Sequence, residues 1–120
     1  MENKDTQRQY DLEERTYKFA YDVMYFVKTL QRTVTNVENV RQLVRSAGSI
    51  GANYIEANEA LSRKDFLMRV KICRKEAKET IYWIKLLDIG DDNSKKSSDA
   101  LRCEATELMK IFGAIIEKSK

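Results

Sequence analysis

The chain has no histidine and no proline among its 120 residues, only two cysteines and four glycines, and a single tryptophan. Each shortage excludes something. Without histidine, the commonest general base and the commonest transition-metal ligand are missing. Without proline, nothing removes a backbone donor from inside a helix, so long uninterrupted helices are favoured. Cys73 and Cys103 are too few to close a structural zinc site. Both fall inside helical patterns, where they read as small packing residues with free thiols. No uncharged apolar run approaches the roughly 18 residues of a membrane span. Met1-Glu2-Asn3-Lys4-Asp5 is followed by no apolar signal segment, so a cytoplasmic location is expected. Gly48-Ser49-Ile50-Gly51 lacks the lysine and the spacing of a phosphate loop. No catalytic residue, metal or cofactor is expected, and an enzyme is the weakest of the function classes.

What is present is charge and helical periodicity. Apolar residues make up 42% and charged residues 34% of the chain, a balance that suits a small helical domain with solvated faces and does not suit disorder. The length fits one domain, expected over residues 10–120 behind a flexible segment at residues 1–9.

Four amphipathic helices are expected. The first runs from about Leu12 to Thr33 with Asp11 as N-cap, and Thr16, Phe19, Ala20, Val23, Phe26, Val27 and Leu30 form its apolar face. The second spans roughly Val37 to Leu61 and carries Val40, Leu43, Val44, Ala47, Gly51, Tyr54 and Leu61. Its middle, Ser46-Ala47-Gly48-Ser49-Ile50-Gly51-Ala52, is dense in small residues. Interior glycines cost about 1 kcal/mol each, which close approach of another backbone would offset; a break into two helices is the alternative. Ser62-Arg63-Lys64-Asp65 reads as a capping box opening a third helix that ends near Leu87, with Phe66, Val70, Cys73, Ala77, Ile81 and Ile84 as its stripe. Gly90 is a candidate C-cap, and Asp91 to Ser97 reads as loop. The fourth helix, Ser98 to Glu117, buries Leu101, Ala105, Leu108, Phe112 and Ile115. The fold class is therefore all-α: an antiparallel up-and-down four-helix bundle.

Helices one and three carry more apolar surface than one stripe. Tyr10, Tyr17, Tyr21 and Met24 share a flank of the first, and Met68, Ile72, Tyr82, Trp83 and Leu86 lie away from the core stripe of the third. Three readings compete: cover for the bundle margins, aromatic platforms for unpaired bases, and subunit contact, which is preferred. Asn53, Glu56, Asn58, Glu59, Glu76 and Glu79 read either as a solvated face with ion pairs such as Lys75–Glu79, or as contacts that fix helix or subunit register.

The net charge is only +3, but its distribution is uneven. Between Arg63 and Lys78 stand Arg63, Lys64, Arg69, Lys71, Arg74, Lys75 and Lys78 against Asp65 and Glu76. Lys64, Lys71, Lys75 and Lys78, helped by Arg63, Arg69 and Arg74, are candidate phosphate contacts. A solvated face is the competing reading.

The segment Arg45-Ser46-Ala47-Gly48-Ser49-Ile50-Gly51-Ala52-Asn53-Tyr54-Ile55-Glu56-Ala57 resembles the signature of the bacterial four-helix-bundle proteins named for intervening sequences in 23S ribosomal RNA genes. Ser62 to Phe66, Lys75 to Trp83 and Tyr10 to Thr16 resemble its other blocks, so the resemblance covers roughly residues 10–88; no motif of the fourth helix matches. It implies an up-and-down bundle assembling as a cyclic homopentamer. A similar branch, the accessory variability proteins of diversity-generating retroelements, implies nucleic acid and a reverse transcriptase as partners. The expected function is thus a non-enzymatic, oligomeric nucleic-acid-binding protein, with RNA preferred. The alternative is a protein-binding scaffold, for example for a reverse transcriptase. No membrane partner is expected.

Overall fold

Thr33, Ser62 and Asp91 each stand in extended backbone just ahead of a helix and accept a hydrogen bond from the amide three residues on: Asn36 at 3.1 Å, Asp65 at 3.1 Å and Ser94 at 2.8 Å. These caps satisfy amides that have no partner inside the helix. They start three of the four helices in a computed structural model that describes the backbone of residues 4–120 and the side chains of residues 11–120. The helices are α1 (Lys4–Val27), α2 (Val34–Asn58), α3 (Arg63–Lys85) and α4 (Asp92–Lys118). Each packs on its chain neighbours, and α4 closes back on α1. The connections are short, so the topology is the expected up-and-down one.

Several boundaries differ from the sequence reading. Helix α1 already runs at Lys4, so Asp11 is not its N-cap; residues 1–3 and the side chain of Tyr10 lie outside the described residues. At its other end α1 stops at Val27, where Thr29 turns back to the Phe26 carbonyl through both its amide and its hydroxyl. The residues expected to continue α1 instead lead to Thr33, the cap of α2, which begins at Val34 rather than Val37. Leu61 lies beyond the end of α2 at 99% exposure, so it belongs to no stripe. Helix α3 ends through turn bonds at Leu86 and Leu87, and no glycine has positive φ, so Gly90 is not a C-cap. The supposed loop at residues 91–97 is mostly the first turns of α4, because Asp91 accepts from both the amide and the hydroxyl of Ser94.

The core follows the expected stripes, to which α2 adds Ile50. Phe19, Val23 and Phe26 of α1, Leu43, Ala47, Ile50 and Tyr54 of α2, Val70, Cys73, Ala77 and Ile84 of α3, and Leu101, Ala105, Leu108 and Phe112 of α4 are buried together. Helix α2 is unbroken through its small residues. The expected close approach exists at Gly51, where Thr16 of α1 leaves no room for a side chain. It does not exist at Gly48, which faces open space. Among the described residues no helix is long and apolar enough to cross a membrane.

Polar side chains lock the register. Asn36 is buried, and its amide donates to the Gln31 and Asp88 carbonyls at 3.1 and 2.9 Å while its oxygen accepts from the Asp88 amide. One residue thereby ties together the two loops at one end of the bundle. Between α2 and α3, Thr80 donates to both the Glu76 carbonyl and Ser46, and the Cys73 thiol meets the Ile50 carbonyl. Arg15 and Glu104 form a two-bond ion pair across α1 and α4 at 2.7 and 2.8 Å.

Candidate nucleic-acid interface

The cap at Ser62 sets the phase of α3, and with it the side on which each basic residue emerges. Val70, Cys73, Ala77 and Ile84 turn inward, so Lys64, Lys71, Lys75 and Lys78 fall on the outer face, where all four are exposed. Lys64, Lys71, Lys78 and Lys85 recur every seven residues. That spacing drifts only about 20° per step, giving one row roughly 31 Å long. Lys85, also exposed, was absent from the sequence-based set, although the seven-residue repeat is readable in the sequence. Among the described residues none of the five lysines on this face lies within ion-pair distance of a carboxylate, and the expected Lys75–Glu79 pair does not form.

The arginines divide differently. Arg74 is exposed and lies against α4 at Gly113, where an added Cβ would come 4.0 Å from its Nε. Lys110, one turn earlier on α4, is exposed as well and extends the basic surface across the seam. Glu117 bounds it: its carboxyl sits below the ordinary carboxylate range, chiefly through a hydrogen bond from Lys120, with attraction from Lys120 and then Arg74 adding to it. Arg63 instead donates to the Ser119 carbonyl, tying α3 to the end of α4. Arg69 is half-buried on the opposite seam and donates to Asn53 Oδ1 at 3.0 Å, while Asn53 donates to the Ser49 carbonyl. Arg69 thus joins α3 to α2 and is not part of the row. Asn53 is one of the polar residues expected to fix helix register.

Beside the row lies a hollow. Lys75, Lys78, Glu79, Tyr82 and Trp83 line an open depression of about 460 Å³. The Tyr82 and Trp83 rings meet edge to face, 5.1 Å apart at 76°. Tyr82 is exposed, whereas Trp83 is half-buried and packs against the core. Of the other residues expected at a subunit contact, Met68 and Leu86 are exposed and Ile72 is half-buried.

The other apolar flank is on α1. Tyr17, Tyr21 and Met24 are exposed there, joined by Tyr25. The tyrosines stand one turn apart with ring centroids 6.3 and 5.1 Å apart, and Lys28 lies over Tyr25 at 5.0 Å. A hydrogen bond with Tyr25 pushes the Tyr21 phenol above its ordinary value. Tyr25 was missed, though its spacing from Tyr21 is the same as that between Tyr17 and Tyr21. Between the α1 and α3 flanks, α2 presents Gly48 and Ala52 with exposed Val37 and Ile55.

Glu76 differs from its acidic neighbours. It is buried at the α2–α3 seam, its Oε2 has no hydrogen-bond partner among the described residues, and burial followed by the nearby Glu79 raises its carboxyl above the ordinary range. Among the described residues, no three Cys, Asp or Glu side chains are grouped to hold a metal ion.

Residues 8–114 match a family model described as 23S rRNA-intervening sequence protein. Among solved structures, the chain is similar to a protein of unknown function from the S23 ribosomal protein family of Bacteroides thetaiotaomicron VPI-5482. The two are 31% identical with a TM-score of 0.77, over 91% of this chain and 97% of the other. Among curated proteins nothing matches.

Proposed function

Because the chain belongs to the 23S rRNA-intervening sequence protein family, we propose that it is a non-enzymatic nucleic-acid-binding protein of the cytoplasm, with RNA as its ligand, working as a cyclic homopentamer. One observation carries the reading: Lys64, Lys71, Lys75, Lys78 and Lys85 stand exposed on one helix face with no carboxylate partner among the described residues. Ammonium groups so placed are free to replace the counterions of a phosphate backbone. Lys110 and Arg74 widen the surface toward α4.

The oligomer is supported by the two apolar flanks. Tyr17, Tyr21 and Met24 on α1 and Met68, Ile72 and Leu86 on α3 lie on different sides of α2. Two unlike patches on one molecule suit a head-to-tail contact, and such a contact makes a ring when the rotation between successive copies closes. A ring repeats the lysine row, so weak contacts at each copy multiply through effective concentration.

A gel-shift series against structured RNA at low salt tests the reading. Binding is expected to weaken steeply as salt rises, and Lys71→Glu with Lys75→Glu should abolish it while leaving the oligomer intact. Absence of RNA and DNA binding at low salt would remove the reading. The exposed Tyr17–Tyr21–Tyr25 ladder favours one other reading, a scaffold for a protein such as a reverse transcriptase. Capture of such a partner unaffected by the lysine reversals would support it.

A further inference from the structure

A row of lysines is enough for a phosphate backbone, but it does not account for the hollow beside it. That depression, about 460 Å³ and lined by Lys75, Lys78, Glu79, Tyr82 and Trp83, falls within the roughly 300–1,000 Å³ of small-ligand sites. Tyr82 is 57% exposed, yet its ring is braced edge-on by Trp83, itself packed on the core. An aromatic face that is open and already oriented loses little freedom when a flat ring stacks on it. Lys75 and Lys78 bring to the same rim cations that are unpaired among the described residues, and Glu79 brings an acceptor that forms no hydrogen bond or ion pair with them. A π-face, cations and an acceptor match the three parts of a nucleotide: base face, phosphate and N–H edge.

We propose that this hollow is a subsite for one unpaired nucleotide. The base stacks on Tyr82, Lys75 and Lys78 hold its phosphate, and Glu79 accepts from the base edge. Guanine fits best, because its edge offers two adjacent N–H donors to a carboxylate. The inference rests on the nucleic-acid reading above and narrows it: the ligand includes a loop or single-stranded stretch, since paired bases keep their faces covered. It also assigns Tyr82 to the ligand rather than to a subunit contact.

The full chain is titrated with three RNAs of equal phosphate number: a hairpin with a guanosine loop, the same hairpin with a uridine loop, and a blunt duplex. Trp83 is the only tryptophan, so its fluorescence reports on the hollow. The guanosine loop is expected to quench Trp83 and to bind more tightly than the duplex. Tyr82→Ala should weaken loop binding by about tenfold or more, with duplex affinity and oligomer mass unchanged, while Tyr82→Trp restores the loop preference. Glu79→Gln should erase the preference for guanosine over uridine. If Tyr82→Ala leaves loop affinity intact while Lys75→Glu with Lys78→Glu abolishes binding, backbone binding stands and the subsite falls. If Tyr82→Ala lowers the oligomer mass, Tyr82 belongs to a subunit contact and the subsite also falls. If the unaltered protein binds none of the three RNAs at low salt, the general reading fails and the subsite fails with it.

Discussion

Thr16 stands so close over Gly51 that a Cβ on the glycine would lie 2.9 Å from its Oγ1 and 3.2 Å from its Cβ. The threonine has little room to yield, because its hydroxyl already donates to the Leu12 and Glu13 carbonyls at 2.8 and 3.1 Å. The α1–α2 spacing is set at this point.

Gly51→Ala should therefore destabilise the fold. Overpacking costs about 1–3 kcal/mol, against a gain of about 1 kcal/mol from better helix propensity. Urea unfolding should show a net loss, and Thr16→Ala in the same background should recover part of it. Gly48→Ala meets nothing within 4 Å and should stabilise a lone subunit by about 1 kcal/mol. If Gly48 lies in the proposed ring contact, the same change weakens association in sedimentation.

Asn36→Ala should be among the most damaging single changes. It removes the three hydrogen bonds by which this buried side chain holds the Gln31 and Asp88 carbonyls and the Asp88 amide. Each of the three hydrogen bonds contributes about 1 kcal/mol, so a total loss of about 3 kcal/mol is expected from chemical denaturation. Arg69→Ala separates fold from binding: it should cost about 1 kcal/mol of stability through the lost Asn53 bond and leave RNA affinity unchanged. Lys71→Ala should do the reverse, lowering the salt slope by about one.

The raised carboxyl of Glu76 makes a pH prediction with a definite sign. The folded state holds this proton more tightly than the unfolded chain, so folding is favoured at acid pH relative to neutral. The contribution is fully present below the ordinary carboxylate value of 4.5 and is lost as pH rises through the folded-state value. Glu76→Gln should thus be more stable than the unaltered protein at neutral pH, with the difference narrowing on acidification. Parallel urea titrations from acid to neutral pH measure it; a constant offset would contradict the burial argument.

The two cysteines should react very differently with a thiol reagent. Cys103 is exposed, while burial pushes the Cys73 thiol up to about 12. One thiol per chain is expected to label quickly in the native state and the second only on unfolding.

Much of this protein is legible in the sequence alone. Spacings of three and four identify the buried faces, from Phe19 and Val23 to Leu108 and Phe112, because burial of a helix depends on its own periodicity. Ser62 was readable as a cap because its partner, Asp65, is only three residues away. The lysines of α3 were readable as one face for the same reason, and the seven-residue repeat could have added Lys85.

What only the tertiary structure decided involves partners distant in the chain. The end of α1 is set near the loop that Asn36 ties to Asp88, a residue on another loop. Arg69 and Arg74 look alike in sequence, yet Asn53 draws one into the α2–α3 seam while Gly113 leaves the other exposed at α4. Two neighbouring glycines divide the same way: Gly51 is required by Thr16, and a Cβ on Gly48 would have nothing within 4 Å among the described residues. Helical phase can be computed from local order, whereas which helix lies on either side of a given face depends on packing that no local pattern encodes.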